Sequence, residues 1–485
     1  MKYQNFDLEV LDYREDDDGE RFRVRVVNSP AGQQRTENAE DVAIPSDVRR
    51  RAGQLARRRL DFAEMVALGK DLADSIFPPR ARGLLTRSQA ELDNGEGLRI
   101  RLRLNTYALS DLPWEYVYVP RPDALPGQDR IDGFLALDRR VSLVRYELME
   151  QRLESLDPVG ASPLRLVVLM ADPSTQAYPD LDLDAERANI DEALKEVPAV
   201  RPEFYADATA ETVLDAVTRE THMFHFAGHG EFGGPMGVAL GAMDGQGAIV
   251  LQGDGGEPHL FPADRLAQTL LGRGIRLAVL GACKGGARDQ INAWTGVAPA
   301  LTRAGIPAVV GMQFTVGDRN AIAFSRQFYR ALAAGQSIDA AVTDGRLAMN
   351  IRSSRDDRDW GVPVLYLRAE EGVLFPSTAP GPPAVGRIQP PQIEPATDEV
   401  DQRMLRMAMV DFFSLEELEL VCADVEKALE DAGIRVMGRP IPVSLEVVGG
   451  RSKPGQVLNL IQYLDRRGYL GYLVSVARLH KPGII

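Results

Sequence analysis

A histidine and a cysteine each follow a short apolar run in this 485-residue chain. His229 comes just after the run 223–227, and Cys283 comes just after the run 277–280. Ligands of a parallel sheet bind beyond the carboxyl ends of its strands, so both side chains are expected at such an edge. There an imidazole can take the proton of a thiol, the thiolate can attack a carbonyl carbon, and the imidazolium can protonate the leaving amine. The two residues therefore predict a nucleophile and its base, with no cofactor.

Backbone groups beside these two residues complete the predicted site. A tetrahedral oxyanion needs preorganised donors, and the backbone N–H groups of Gly230 and Cys283 are the candidates. Each element alone has a simpler structural interpretation, since a cysteine after a buried strand usually only packs. Their occurrence together, in this order and at two strand ends, favours the catalytic interpretation.

Zinc binding is the competing use of the same side chains, because His222, His225, His229 and Cys283 are all zinc-ligand types. In a strand, however, residues 222 and 225 face opposite sides, and only 225 and 229 share a side. The sequence therefore favours His225 as a packed, hydrogen-bonded neighbour and predicts no metal. The glycine-rich run 228–237 has no lysine at its end, so it is not a phosphate loop.

The pattern around these residues is typical of an α/β fold. Short, nearly continuous apolar runs alternate with helical stretches, as a parallel sheet covered on both faces requires. Strands are predicted at 164–170, 223–227, 276–280, 306–311 and 362–368, and helices at 184–197, 209–219, 263–271, 292–304 and 318–350. Residues 156–375 are thus predicted to form the catalytic domain. Residues 1–155 are predicted as a β-rich unit before it, with strands at 7–13, 21–27, 98–104 and 115–119 and a helix over 47–75.

The end of the chain is predicted as a linker and a small helical domain. Residues 376–398 hold seven prolines, which favour an extended linker. In 399–485, Ser414 and Glu417 form a capping box before an apolar stripe that includes Cys422, which is interpreted as a buried structural thiol.

Charge is distributed unevenly in this last domain. Residues 399–431 carry ten acidic and three basic side chains, whereas 432–485 carry two acidic and eight basic ones. Complementary halves can orient association with a similar domain. Acidic side chains that only decorate a solvated helix explain the split equally well.

Composition restricts the function classes. The formal net charge is −14, and a negative field repels phosphate backbones and anionic lipids, so neither nucleic acid nor a membrane is an expected partner. The one dense basic cluster, at 49–51 and 57–59, has the spacing of a solvated helix face. Two cysteines cannot form a disulfide framework, no secretory signal begins the chain, and no apolar run could span a bilayer. A cytoplasmic location is expected.

Four motifs resemble the CHAT family, caspase-fold peptidases related to separases: LPWE at 112–115, HFAGHG at 225–230, LGAC at 280–283 and FYRAL at 328–332. The resemblance covers roughly residues 60–375. It implies a caspase-like sheet, with His229 as the base and Cys283 as the nucleophile. Their separation of 54 positions agrees with the ~50-residue interval of caspase-type proteases.

The motifs do not identify the residue that would bind the substrate side chain. Separases carry an acidic residue two before the cysteine, which selects arginine, and this chain has Gly281 there. Two aspartates near strand ends are the substrate-binding candidates, Asp172 and Asp318. Asp318 is equally well placed to be the N-cap of the helix that follows it.

The last domain resembles the small helical effector-associated domains of bacterial conflict systems, members of a death-like superfamily, through MAMVDFF at 407–413 and YLDRRG at 463–468. Together the resemblances imply a cysteine endopeptidase of a bacterial defence or signalling system. This domain would recruit it to a partner with a similar domain, and it would cleave a partner protein, for which the family association suggests a pore-forming effector. The alternative is a catalytically inactive scaffold that assembles partners through its helical tail, and the presence of both His229 and Cys283 argues against it.

Overall fold

The computed structural model describes residues 1–17, 19–104, 106–121, 128–146, 156, 163–173, 175, 178, 180–232, 247–282, 294, 296–376, 401–432, 434–436, 439–450 and 452–481. The chain divides into two compact units, Met1–Thr378 and Ala379–Ile485. Each unit has a hydrophobic core of its own.

The first unit begins with a β-hairpin and a group of helices. Strands β1 (Lys2–Asp16) and β2 (Gly19–Asn28) pair in antiparallel fashion, as the alternating residues of the two predicted strands indicate. The chain continues through β3 (Glu40–Ala43), α1 (Val48–Ala56), α2 (Phe62–Ile76), α3 (Pro79–Ala90), β4 (Glu96–Arg103), α4 (Tyr107–Ser110) and β5 (Val141–Arg145).

The prediction of one helix over 47–75 is wrong, because the chain breaks between α1 and α2. Arg58 lies in the left-handed region, with φ at 56°. Its guanidinium pairs with the buried carboxylate of Asp359 at 2.6 Å, which holds it in this conformation. Helix α2 then starts at a capping box formed by Asp61 and Glu64.

Strands and helices make up the rest of this unit. They are β6 (Leu164–Met170), α5 (Leu183–Leu194), β7 (Val200–Tyr205), α6 (Ala210–Ala216), β8 (Met223–Gly228), β9 (Gly230–Phe232), β10 (Gly247–Gln252), β11 (Pro258–Pro262), α7 (Ala263–Leu270), β12 (Leu277–Ala282), α8 (Val297–Ala304), β13 (Ala308–Met312), α9 (Asp318–Ala333), α10 (Ile338–Arg352) and β14 (Pro363–Leu367). The sequence predicts five of these strands, at 164–170, 223–227, 276–280, 306–311 and 362–368, and misses the four strands β7, β9, β10 and β11. The helix predicted over 318–350 is two helices. Gly335 ends α9 at φ 72°, and Ser337 caps α10 by accepting the N–H of Ala340.

Eleven strands form one mixed sheet in the order β3-β2-β1-β4-β5-β14-β13-β12-β8-β6-β7. Strands β7, β6, β8, β12 and β13 run parallel, and β14 is antiparallel to β13. Residues 1–155 and 156–375 both contribute strands to this sheet. The two parts join where β5 pairs with β14, with Arg145 opposite Tyr366. The strands β11-β10-β9 form a separate three-stranded sheet.

Apolar residues cover both faces of the large sheet. In β8, Phe224 and Phe226 enter one core cluster, whereas Met223 and Ala227 enter the other. Successive side chains of a strand point to opposite faces, so a strand buried on both sides must be apolar at consecutive positions. The predicted α/β class, with helices on both faces of a sheet, is confirmed.

The strand predicted at 115–119 is instead a 3-10 turn, Trp114–Tyr116, followed by a single bridge at Tyr118. The prediction failed because Glu115 is not exposed as strand alternation requires. Its buried carboxylate pairs with Arg145 of β5 at 2.9 Å and accepts a hydrogen bond from Gln313 at 3.0 Å. Gln313 directly follows β13, so Glu115 holds the start of the loop that leads to α9.

The second unit contains five helices in the residues described, and a two-residue strand pair. Its elements are α11 (Gln402–Phe412), α12 (Leu415–Asp431), β15 (Arg435–Val436), β16 (Arg439–Pro440), α13 (Leu445–Val448), α14 (Lys453–Asp465) and α15 (Leu470–His480). The predicted capping box of Ser414 and Glu417 is present at the start of α12. Cys422 is buried in the core of this unit, which confirms its interpretation as a packed thiol. Across the described residues of the whole chain, no helix is long and apolar enough to cross a membrane.

Candidate active site

Three adjacent parallel strands end at one edge of the large sheet. Strand β8 lies between β6 and β12, with Ala227 opposite Met170 and Gly228 opposite Ala282. His229 is the next residue after β8. The predicted nucleophile, Cys283, lies outside the described residues and is the next residue in the chain after β12.

The glycines on either side of His229 are required by packing inside the protein. A Cβ atom on Gly228 would lie 2.5 Å from the ring of Phe226, and one on Gly230 would lie 2.6 Å from the ring of Trp294. Any side chain at these positions would force the two aromatic rings to move. The glycine–histidine–glycine motif therefore lets the chain turn tightly over a filled core.

His229 has an acidic and an aromatic neighbour. Its Nε2 atom lies 3.9 Å from Oδ1 of Asp172, and its ring centroid lies 5.3 Å from that of Tyr178. The side chain of His229 is 11% exposed and that of Asp172 is 20% exposed. The arrangement places a carboxylate beside the imidazole and leaves little contact with solvent.

Asp172 is held in place from two sides. Its Oδ2 atom accepts a hydrogen bond from the N–H of Leu181 at 3.0 Å, and its carbonyl oxygen accepts one from Gln252 at 3.3 Å. Its Oδ1 atom is buried and accepts no hydrogen bond within the described part of the chain. The sequence suggested Asp172 for substrate binding, and the structure places it beside His229.

The backbone N–H of Gly230 is oriented away from β10. Val250 donates its N–H to the carbonyl oxygen of His229 at 2.9 Å, and Gly230 lies opposite Ile249. Hydrogen-bonded and non-hydrogen-bonded pairs alternate along antiparallel strands. Gly230 therefore occupies a non-hydrogen-bonded position of this ladder, as an oxyanion donor must.

A cavity lies under the same edge of the sheet, between the strands and helices α5 and α9. Its lining includes Gly281 of β12, His225 of β8, Glu186 of α5, and Asp318 and Tyr329 of α9. Asp318 is exposed and is the first residue of α9, whereas the N-cap is Gly317, whose N–H donates to Asp359. The alternative interpretation of Asp318 as the N-cap is therefore wrong, and its side chain lies at the cavity.

His225 is buried, as predicted. Its Nδ1 atom lies 3.3 Å from the hydroxyl oxygen of Tyr329. Its Nε2 atom lies 3.9 Å from Oε1 of Glu186 and has no hydrogen-bond partner within the described part of the chain. Burial lowers the pKa of His225 to about 4, so the ring is neutral at neutral pH.

Glu186 is the cavity residue that the sequence analysis missed. Burial and the nearby charge of Asp318 raise the pKa of its carboxyl above the ordinary value. A signal was present, because 182, 185, 186 and 189 share one helix face and all line the cavity. A carboxylate on a helix face that packs inward does not contribute apolar burial, and this is the signal that could have pointed to Glu186.

The histidines do not gather into a metal site in the part of the chain that the structure describes. His222 accepts a hydrogen bond at Nδ1 from the N–H of Arg165 at 3.0 Å. His225 contacts Tyr329, and His229 contacts Asp172. No group of three or more histidines, cysteines, aspartates or glutamates able to hold a metal occurs among the described residues.

The solved structures similar to this chain are distant from it in sequence. The separase–securin complex of Saccharomyces cerevisiae is 12% identical, with a TM-score of 0.30 over 64% of this chain and 17% of the separase chain. The Arg-specific cysteine proteinase gingipain R is 11% identical, with a TM-score of 0.36 over 63% of this chain and 70% of that one. The complex of Porphyromonas gingivalis RgpB pro- and mature domains is 12% identical, with a TM-score of 0.36 over 69% and 78%. The match thus spans less than a fifth of the separase chain.

A family model gives the more specific finding. No curated protein sequence matches this chain. The model of the CHAT domain matches residues 66–377, which is more than half of the chain. The matched part includes the ends of β6, β8 and β12. The protein therefore belongs to the CHAT domain family, and its first unit has the caspase-like fold of that family.

Proposed function

We propose that this protein is a cysteine endopeptidase in which Cys283 is the nucleophile and His229 is the general base. The observation that carries the proposal is the strand register, in which Gly228 of β8 lies opposite Ala282 of β12. Neighbouring strands are about 4.8 Å apart, so the last residues of β8 and β12 are neighbours across the sheet. His229 and Cys283 are the residues that follow them in the chain. A base and a nucleophile from two such positions are within reach of one scissile bond.

The chemistry needs proton transfers through His229 and no metal. His229 takes the proton of the Cys283 thiol, and the thiolate attacks the carbonyl carbon of the scissile bond. The tetrahedral oxyanion accepts hydrogen bonds from the backbone N–H groups of Gly230 and Cys283. The C–N bond breaks as the imidazolium protonates the leaving amine. Water then gives a proton to His229 and attacks the thioester carbonyl, the C–S bond breaks, and the imidazolium returns the proton to the thiolate of Cys283.

Asp172 acts in this mechanism through His229. Its carboxylate is 3.9 Å from Nε2 of His229. The imidazole of His229 becomes positively charged when it holds the thiol proton. A nearby negative charge stabilises the imidazolium and restricts the orientation of its ring. We therefore assign Asp172 as a positioning residue of the base.

Thiol labelling tests the nucleophile directly, because the chain has two cysteines and the second, Cys422, is buried. Burial and the charges of Glu419 and Glu426 raise the pKa of Cys422 to about 12, so its thiolate is scarce at neutral pH. An alkylating probe applied at pH 7 is expected to modify Cys283 at least about 100-fold faster than Cys422.

Peptide mass spectrometry of the labelled protein measures both rates in one sample. His229→Ala is expected to slow labelling of Cys283 and to leave Cys422 unchanged, since only Cys283 depends on that base. Equal, slow labelling of both cysteines would favour the inactive scaffold over the peptidase.

We further propose that the second unit recruits the enzyme to a partner that carries a similar helical unit, in a bacterial defence or signalling system. The support is the resemblance of 407–413 and 463–468 to effector-associated domains. A group of exposed apolar side chains adds to it: Met404, Met407, Phe412, Leu415 and Leu420. A soluble unit gains nothing by exposing them unless another surface covers them.

Charge contributes less to this recruitment than the sequence suggests. Glu417 pairs with Lys481 at 2.9 Å, so the acidic and basic halves partly neutralise each other inside the unit. Apolar contacts are then the main attraction between two copies.

Sedimentation velocity of the full chain tests this recruitment mode. We expect concentration-dependent association that persists at high salt and disappears in a chain ending at Thr378. Exchanging Met404 and Met407 for glutamine should weaken it, whereas the exposed Val447→Gln should not. A full chain that stays monomeric at all concentrations contradicts association between similar units.

A further inference from the structure

The cavity under the sheet edge is lined by Gly281 of β12, the strand that Cys283 follows in the chain, and a role for this cavity in substrate binding rests on the proposed peptidase function. Gly281 lines the cavity and precedes Cys283 by two residues in the chain. The proposed nucleophile is thus two residues along the chain from the cavity wall. In a peptidase, the side chain that enters such a cavity belongs to the residue just before the scissile bond, the P1 residue.

The floor of the cavity carries a polar atom in need of a partner. The side chain of His225 is 5% exposed, and its Nε2 atom is buried without a hydrogen bond among the described residues. A Cβ atom on Gly281 would lie 3.2 Å from this same Nε2. Because residue 281 has no side chain, Nε2 of His225 borders the cavity. The cavity extends from the sheet to Glu186 on α5.

The charges at the cavity are all of one sign. Glu186 lies inside it, while Asp182 and Asp318 are exposed at its edge. No lysine or arginine forms an ion pair with Glu186 within the described residues, and the histidine 3.9 Å from its carboxylate, His225, is neutral. A half-enclosed carboxylate without a cation is costly unless a ligand provides one.

The walls between these polar groups are mostly apolar. Val279, Met312, Val316, Phe324 and Phe328 form most of them, and Asn189 and Ser325 add two polar side chains. A long aliphatic stem packs well on such walls, and aromatic faces also attract a cation.

We propose that this cavity is the P1 subsite and that it takes a basic side chain, arginine or lysine. The stem lies along the apolar walls and the cation pairs with the carboxylate of Glu186. Nε2 of His225 accepts a hydrogen bond from the cation, while its Nδ1–H donates to the hydroxyl of Tyr329. Asp318 and Asp182 attract the basic residue to the entrance.

Other P1 classes fit less well. An acidic side chain meets three carboxylates of like charge. An apolar side chain such as leucine fills the walls but leaves Glu186 and His225 without partners, which lowers its binding relative to a basic residue. Preference for a basic P1 residue is therefore a direct consequence of the cavity floor.

Hydrolysis of peptides that differ only at P1 tests the assignment with the full chain. We expect kcat/KM for arginine or lysine to exceed that for leucine and for aspartate by at least about 100-fold. Glu186→Gln should lower the value for arginine by about 30-fold or more and leave that for leucine within about threefold. The matched control is Asp191→Asn, which removes the same charge from an exposed position of the same helix and should change neither value.

Binding provides a readout that does not depend on turnover. Calorimetry with Cys283→Ala protein and an acetylated tetrapeptide ending in arginine should show binding that Glu186→Gln abolishes. A preference for leucine that Glu186→Gln does not alter overturns the basic P1 subsite and leaves the peptidase intact. Binding of the arginine peptide without hydrolysis of any peptide by the unmodified protein instead overturns the peptidase. No arginine binding by either measurement overturns the subsite.

Discussion

Replacement of Cys283 by alanine is expected to abolish peptide hydrolysis, with kcat falling by at least about 10³-fold. The variant lacks the atom that forms the thioester, so no other group can accept the acyl chain. His229→Ala is expected to have an effect of the same order, because the thiol then keeps its proton and the leaving amine receives none. Since the two residues act in one step, the double variant should be no less active than either single variant.

The measurement is the initial rate on a peptide pool, followed for the variants and for the unmodified protein at equal concentration. Cys422→Ala and His259→Ala are the controls, because one is a buried thiol of the second unit and the other an exposed histidine of β11. Both should retain nearly full activity. Hydrolysis at an unchanged rate in either Cys283→Ala or His229→Ala contradicts the dyad, provided that thermal unfolding shows the variant to be folded.

Asp172→Asn is expected to lower kcat by about 10²-fold with little change in KM. Two unit charges 3.9 Å apart attract each other by about 4 kcal/mol at an effective dielectric constant of about 20. Partial exposure of both side chains screens this attraction, so about 2–3 kcal/mol of transition-state stabilisation is lost. The substrate does not touch Asp172 in this assignment, so its binding is expected to be unaffected.

Asparagine is chosen because its side-chain oxygen can still accept the hydrogen bond from the N–H of Leu181. The thermal unfolding midpoint should therefore stay close to that of the unmodified protein. A rise in KM with unchanged kcat would instead return Asp172 to the role in substrate binding that the sequence suggested. Separate determination of kcat and KM decides between these two roles.

Local pattern was enough to find the two strands that His229 and Cys283 follow in the chain. Strands buried on both faces are apolar at consecutive positions, and 223–227 and 277–280 are conspicuous for that reason. The capping box at Ser414 and the burial of Cys422 were equally accessible, since both follow from the spacing of residues within one helix.

The predictions that failed depended on contacts made at long range. Residues 47–75 have a continuous helical pattern, yet Arg58 leaves it to pair with Asp359, which is about three hundred residues away. Residues 115–119 have the composition of a strand, yet Glu115 turns inward to meet Arg145 and Gln313. No window of neighbouring residues contains these partners, so periodicity alone cannot anticipate them.

The sequence by itself determined the α/β class, the strand ends that carry His229 and Cys283, and the separation of a helical unit from the rest. These features follow from local rules, because hydrophobic period and turn-forming residues act over a few positions. Only the tertiary structure decided that Asp172 lies beside His229, and that Glu186, His225 and Asp318 share one cavity. Those groups come from segments far apart in the chain, and their proximity is set by the order of strands in the sheet, which no local pattern specifies.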